Sequence, residues 1–247
     1  MATAATAPQD GLPETPESVV VRFAGDSGDG MQLTGGQFTL SPALAGNDLA
    51  TFPDFPAEIR APQATLFGVS AFQINFGSRE INTAGDAPDV LVAMNPAALK
   101  SDLHLLVPGG TLIVNADSFE ERNLAKAGYE SNPLEGHELD GYRLISAPMT
   151  SLTKGVCKDL GVKTRDAERS KNFFALGLVS WMYSRPTQPT LDWIDAKFAG
   201  RELIIAANRA AFAAGHAFGE TAELGHQQVV VNAAPHEPGT YTNISGN

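Results

Sequence analysis

The stretch Gly25-Asp26-Ser27-Gly28-Asp29-Gly30 has the clearest capacity for chemistry in this sequence. Its three glycines let a backbone turn sharply and come close to a ligand without Cβ clashes. If a helix follows, its free N–H groups point at an anion, and phosphate binds readily at such a place. The spacing is Gly-x-x-Gly-x-Gly, not the Gly-x-Gly-x-x-Gly of a dinucleotide site. No acidic residue follows a clear second strand at the ribose-binding offset. Asp26 and Asp29 also repel a bare pyrophosphate unless a metal or hydrogen-bond donors offset them. Two readings stay open: a loop that faces a ligand or an interface, and a tight turn that binds nothing.

Gly28-Asp29-Gly30 invites comparison with the Gly-Asp-Gly that holds magnesium in thiamine diphosphate sites. That motif needs paired asparagines downstream, and the chain has no Asn-Asn pair. Magnesium also needs several oxygen ligands in near-octahedral order. A second candidate is Pro56-Ala57-Glu58-Ile59-Arg60-Ala61-Pro62, where two prolines stiffen a segment that displays Glu58 and Arg60. Arg60 can grip a phosphate or carboxylate bidentately, or it pairs with a surface acid. Phe52 and Phe55 just before it suit a docking surface. The single cysteine, Cys157, cannot form an internal disulfide, a cysteine zinc site or an iron–sulfur cluster, which takes about four thiolates. Lys154 and Lys158 beside it favour a lowered thiol pKa, although an inert thiol is the more ordinary outcome. The histidines form no metal-ligating pair, and no serine sits in a Gly-x-Ser-x-Gly elbow.

These residues need elements to position them. Val19 to Ala24 is a β-branched run that reads as a buried first strand leading into the glycine loop. Met31 to Ala45 has helical potential, weakened by Gly35, Gly36 and Pro42. Strand, glycine loop and helix in this order open a doubly wound α/β domain. Thr51 to Pro62 reads as a loop and Leu66 to Phe76 as a strand or hairpin arm. Asp89 to Met94 is a second buried strand, and Asn95-Pro96 starts a short helix. Thr111 to Val114 and Tyr142 to Ser146 are further strands. Lys171 to Tyr183 is apolar on most faces and must be buried, in the domain or against another subunit. Glu202 to Phe218 is an alanine-rich helix. Residues 1–17 read as a flexible tail and residues from Val229 onward as linker. The chain ends on Ile244-Ser245-Gly246-Asn247, either as an ordinary ragged terminus or as the start of another unit.

At 247 residues, with 43% hydrophobic and 18% charged residues, the chain is long enough for one large core. Its net charge of −11 argues against nucleic acid and anionic membrane surfaces as partners. No apolar run reaches the length of a membrane helix, and the first residues lack the pattern of a secretory signal. A reduced, cytoplasmic setting is expected. The expected fold is α/β: a doubly wound, mostly parallel sheet flanked by helices, in a single domain with an N-terminal tail and a C-terminal linker.

Five segments in order carry a resemblance: Phe23 to Gly30, Thr51 to Pro62, Gly68 to Ile74, Asp89 to Leu99, and Lys171 to Gly177. Together they resemble the 2-oxoacid:ferredoxin oxidoreductases, and within them the gamma-type domain at the front of the alpha subunit of the 2-oxoglutarate type. The likeness covers Ser18 to about Ala222. It implies a gamma-type domain over residues 18–224, with residues 225–247 as a linker and the start of a pyrimidine-binding domain that continues past Asn247. It implies a multi-subunit cytoplasmic enzyme, a heterotetramer, that oxidatively decarboxylates a 2-oxoacid, releases an acyl-coenzyme A and passes electrons to ferredoxin. Thiamine diphosphate, Mg2+ and [4Fe-4S] clusters would belong to the complex and not to this chain alone. The implied partners are the rest of the alpha subunit, a thiamine- and cluster-binding beta subunit, and ferredoxin. This domain would contribute assembly contacts and coenzyme A access, with no catalytic residue of its own. The residues carried over as ligand- or interface-facing are Gly25, Ser27, Gly28, Asp29, Gly30, Glu58 and Arg60. Two departures from free-standing gamma subunits stand out: Gly28-Asp29-Gly30 where many have Gly-Gly-Gln-Gly, and Arg60-Ala61-Pro62 where many have Arg-Gly-Gly. The rival readings are a self-contained Rossmann-like nucleotide-dependent enzyme and a non-catalytic assembly domain.

Overall fold

The computed structural model of the chain describes residues 15–26, 28–55, 68–222, 224, 228–237 and 239–240. Among the described residues six strands form one sheet: β1 (Ser18–Asp26), β2 (Asp48–Asp54), β3 (Val69–Gly77), β4 (Val90–Ala93), β5 (Thr111–Asn115) and β6 (Arg143–Ala147), in the order β2-β3-β1-β4-β5-β6. β4 pairs parallel with β1, β5 with β4, and β6 with β5, whereas β3 runs antiparallel to both β1 and β2. All strands but β3 therefore point the same way, as expected.

The helices are α1 (Met31–Leu44), α2 (Pro96–Asp102), α3 (Glu121–Lys126), α4 (Met149–Cys157), α5 (Thr164–Arg169), α6 (Lys171–Met182), α7 (Gln188–Lys197) and α8 (Glu202–Thr221). Alternation along the strands divides the core between the two sheet faces. Val21, Phe23, Ile74, Val92 and Ile113 enter a large cluster with Phe38 of α1, Phe174 of α6 and Phe212 of α8. On the other face, Ala24, Leu91, Leu112 and Val114 pack with Leu99 of α2 and Leu124 of α3. Because both faces are covered, the central strands read as continuous apolar runs.

The apolar helix α6 is buried within the domain, with every residue from Asn172 to Met182 inside. It lies directly on α8 through two glycine notches. A Cβ at Gly177 would strike the Phe212 carbonyl oxygen, and one at Gly215 would strike that of Phe174. Phe173 also joins Trp193 and Phe198 in an aromatic cluster under α7.

The structure corrects one sequence expectation. Thr51 to Asp54 is strand, the second half of β2, and not loop. Antiparallel β3 offers a free edge there, and Pro53 is tolerated because β2 is the outermost strand and its missing N–H breaks no ladder. The expected strand from Leu66 appears as β3 from Val69; Leu66 itself lies outside the described residues. The linker-like composition after Val229 also packs on the domain over its described part. The Val229 N–H donates to the Met182 carbonyl at 2.7 Å, the Ala234 N–H to that of Gly46 at 2.8 Å, and Asn47 Nδ2 to that of Asn232 at 2.6 Å.

Candidate functional site

After β1 the chain turns to β2 and β3 on one side, and it returns to β4 on the other. Such a reversal leaves a crevice beyond the carboxyl ends of β1 and β4, where open α/β sheets bind ligands. A cavity of about 260 Å³ lies at that place, lined by Asp26, Asp29, Asn95, Pro96, Ala97, Ser118, Asn123, Lys126, Ala127 and Lys171.

Each lining residue is held by a local cause. Asp26 closes β1. Asn95 follows β4 and caps α2, with its Oδ1 accepting the Ala98 N–H at 2.8 Å and Pro96 at the first helical position. The amide Nδ2 of Asn95 is then left to donate to Asp29 Oδ2 at 3.2 Å. The Asp26 N–H donates to the same oxygen at 3.1 Å, and Lys171 Nζ stands 2.8 Å from Asp29 Oδ1. Asp29 is thus turned into the loop it belongs to, where a cation and two donors hold it.

Of the residues carried over from the sequence, Asp29 lines the cavity, and Gly25, Gly28 and Gly30 belong to the same loop without lining it. Ser27, Glu58 and Arg60 lie outside the described residues. Gly30 precedes α1 with φ +75°, a left-handed conformation that favours glycine, and a Cβ there would come within 2.6 Å of Asn172 Nδ2. Gly25 is close to Asp29 and Met31, whereas a Cβ at Gly28 would meet open space. Burial raises the Asp26 carboxyl pKa, and the Asp29 charge adds to that. Asn95, Lys171 and Lys126 pull the other way. Lys171, Lys126, Asn95, Asn123 and Ser118 were missed as site residues by sequence reasoning. The signal available was position: Asn95 follows a buried strand, and Lys171 opens an apolar helix.

Below the crevice, the Arg22 guanidinium on β1 ties three elements together. Its Nε donates to Asp102 Oδ2 of α2 at 2.7 Å, and its Nη2 to Asp54 Oδ2 of β2 at 2.5 Å. Burial alone would lower its pKa, but the two carboxylates reverse the direction and raise it. Gln32, in the first turn of α1, donates to the Ala71 carbonyl at 2.8 Å and lies 3.2 Å from that of Asp54, so it joins β2 to β3. Cys157 is buried and its thiol is pushed up by burial, which overrides the lowering expected from the neighbouring lysines. Among the described residues no group of three His, Cys, Asp or Glu could hold a metal ion. No helix among them is long and apolar enough to cross a membrane.

The comparison with protein families decides what kind of domain this is. The family model described as pyruvate ferredoxin/flavodoxin oxidoreductase matches residues 20–218. This chain belongs to that family. A relative within it is the 2-oxoglutarate oxidoreductase subunit KorA of Mycobacterium tuberculosis, 54% identical over 231 residues, which are 94% of this chain and 35% of that protein. The chain therefore spans about a third of that relative's length.

Solved structures of oxoacid oxidoreductases carry the same fold. The 2-oxoglutarate:ferredoxin oxidoreductase of Magnetococcus marinus, solved with 2-oxoglutarate, coenzyme A and succinyl-CoA bound, superposes with a TM-score of 0.67 at 24% identity, covering 88% of this chain and 34% of that one. The gamma subunit of a keto/oxoacid ferredoxin oxidoreductase from Geobacter sulfurreducens matches at TM-score 0.52 and 18% identity, over 81% of this chain and 99% of its own. The pyruvate oxidoreductase subunit PORC of Thermotoga maritima matches at 0.53 and 18%, over 81% and 97%. A family fold that makes up a whole subunit in those two proteins occupies most of this chain.

Proposed function

We propose that this chain is the gamma-type part of the alpha subunit of a 2-oxoglutarate:ferredoxin oxidoreductase. The enzyme would decarboxylate 2-oxoglutarate oxidatively, form succinyl-coenzyme A and reduce ferredoxin. The observation that carries this reading is the 54% identity to KorA along 94% of the chain. The partners are the pyrimidine-binding remainder of an alpha subunit and a beta subunit, in a cytoplasmic heterotetramer.

Thiamine diphosphate with Mg2+ supplies the decarboxylation chemistry in such an enzyme, and [4Fe-4S] clusters carry its electrons. The residues present here do not fit either group: there is one cysteine, it is buried, and no Asn-Asn pair follows Gly28-Asp29-Gly30. Their holders are the partner domains, and no step is assigned to this chain through them.

The crevice fits a different task, guiding coenzyme A. It is too small for the whole molecule and suits one segment of it. Lys171 and Lys126 supply positive charge on a rigid rim formed by strand ends and helix starts, where Asn95 is held by its bond to Asp29 and Asn123 by its bond to the Ser118 carbonyl. Asp29 holds Lys171 in place, so the ammonium is already ordered before a ligand arrives. Gly25, Gly28, Asp29 and Gly30 belong to the loop under that rim, and Ser27, Glu58 and Arg60 are proposed to face the same ligand.

The test is reconstitution. The chain within a complete alpha subunit, combined with its beta subunit, is expected to reduce a viologen dye with 2-oxoglutarate and coenzyme A, and only slowly with pyruvate. The chain alone is expected to be inactive. Turnover by the isolated chain, or preference for pyruvate, overturns the assignment.

A further inference from the structure

Helix α4 has an inner and an outer side. Thr153 and Cys157, four residues apart, are buried, and the Cys157 thiol points at the Ala207 carbonyl of α8, 3.9 Å away. Beside them Leu152 and Val156 stand in the open, 37% and 42% exposed. Leu160, in the turn Lys158–Leu160 that follows, repeats the spacing at 37%. Residues four apart share one side of a helix, so Leu152 and Val156 adjoin and Leu160 extends the row. Single exposed apolar residues are ordinary, whereas a row of them marks a contact surface.

A groove of about 500 Å³ runs along the neighbouring flank, between α4 and α5, with Gly155, Lys158, Val162 and Thr164 among its walls. Gly155, three residues after Leu152, connects the row to the groove. A Cβ there would meet nothing, so the backbone lies bare to whatever covers it. The face also reaches the crevice. The Ser151 N–H donates to Asp117 Oδ2 at 2.6 Å, next to Ser118 of the crevice wall, and α5 leads into Lys171.

In a chain of net charge −11 this face is basic. Lys158, Lys163 and Arg165 are exposed on it, and none of them has an ion pair among the described residues. Most of the nearby acids are engaged: Glu168 by Lys154 at 2.6 Å, Asp166 by Arg169 at 3.8 Å, and Asp117 by Ser151. Asp159 is left against three cations. A second copy docked row to row about a two-fold axis would set these cations against themselves, which costs binding. A helix with an apolar side and acidic flanks meets both the row and its rim.

We propose that the α4–α5 face is a docking surface for an acidic amphipathic helix of another polypeptide. The apolar side of that helix covers Leu152, Val156 and Leu160, and its carboxylates reach Lys158, Lys163 and Arg165. The partner then stands beside the crevice. The surface is read from this chain alone and does not depend on the enzyme assignment above.

The probe is a synthetic helical peptide with leucines four apart and glutamates on both flanks, titrated into the full chain labelled with 15N. Backbone resonances within residues 149–165 are expected to move along one saturating curve. The same peptide with lysine in place of glutamate is expected to bind at least about tenfold more weakly. Lys158→Glu combined with Lys163→Glu is expected to raise the dissociation constant of the acidic peptide by about tenfold or more, and Val156→Ser to raise it as well. All three changes are at exposed positions, so the melting temperature is expected to stay within a few degrees of the parent. Equal binding of the lysine peptide, resonance shifts confined to other residues, or an unchanged dissociation constant in the double variant overturns the proposal. So does dimerisation of the chain in sedimentation that Val156→Ser abolishes, because the row then belongs to a second copy.

Discussion

Lys171 Nζ and Asp29 Oδ1 stand 2.8 Å apart and join the start of α6 to the loop after β1. Both side chains are largely shielded, at 22% and 13% exposure, so this pair is not a solvated surface contact of negligible worth. It fixes a cation at the rim of the crevice. If that cation guides a ligand, Lys171→Ala in the assembled enzyme raises the KM for coenzyme A by about tenfold, a loss of about 1.4 kcal/mol of binding, and leaves kcat nearly unchanged. Steady-state kinetics with varied coenzyme A checks it. A change in kcat alone, with KM constant, would assign Lys171 to a different task.

Asp26 gives the crevice a pH signature. Its folded pKa lies above the ordinary carboxylate value, chiefly through burial. The folded state therefore holds this proton more tightly than the unfolded chain does, and the linked stability falls as pH rises through the window above the ordinary carboxylate pKa. Asp26→Asn is expected to raise the melting temperature at pH 7, with the difference from the parent shrinking as the pH drops below about 4. Thermal melts at a series of pH values read this directly.

Arg22 anchors α2 and β2 to β1, and its partner Asp102 is only 3% exposed. Arg22→Met leaves the Asp102 carboxylate buried without its cation, at a cost of about 3–5 kcal/mol. The double variant Arg22→Met with Asp102→Leu removes both charges and is expected to recover most of that loss. Urea denaturation of the three proteins compares them.

The glycine notches where α6 meets α8 admit no side chain. In Gly215→Ala the new methyl meets the Phe174 carbonyl, a backbone atom that cannot turn aside. The helices must separate, with a loss of about 1–3 kcal/mol or more. Gly28→Ala, where a Cβ meets open space, serves as the control and is expected to change stability by less than about 1 kcal/mol. Chemical denaturation is again the measurement.

Cys157 is 1% exposed and its thiol is pushed up by burial. It is expected to react with a disulfide reagent only slowly in the native chain and at once in denaturant. Rapid native labelling would mean that α4 opens from α8 far more readily than its packing implies.

Much of this protein was legible in the linear order of residues. The β-branched runs at Val19, Val90 and Leu112 marked central strands, because strands covered on both faces must be apolar throughout. The glycine loop marked the end of the first of them, and five ordered segments marked the family. Edge strand β2 escaped notice because Phe52-Pro53 reads as a breaker in isolation; only the free edge of β3 makes a strand of it. The rest of the site escaped for the same physical reason. Lys171 reaches Asp29, and Asn172 lies beneath Gly30, because α6 packs flat on α8 through Gly177 and Gly215 and so brings its first turn to the end of β1. Local periodicity specifies which residues form a helix and which face is buried. Which distant side chain that helix presents to a loop is set by how closely two backbones approach, and that is decided only when the whole core closes.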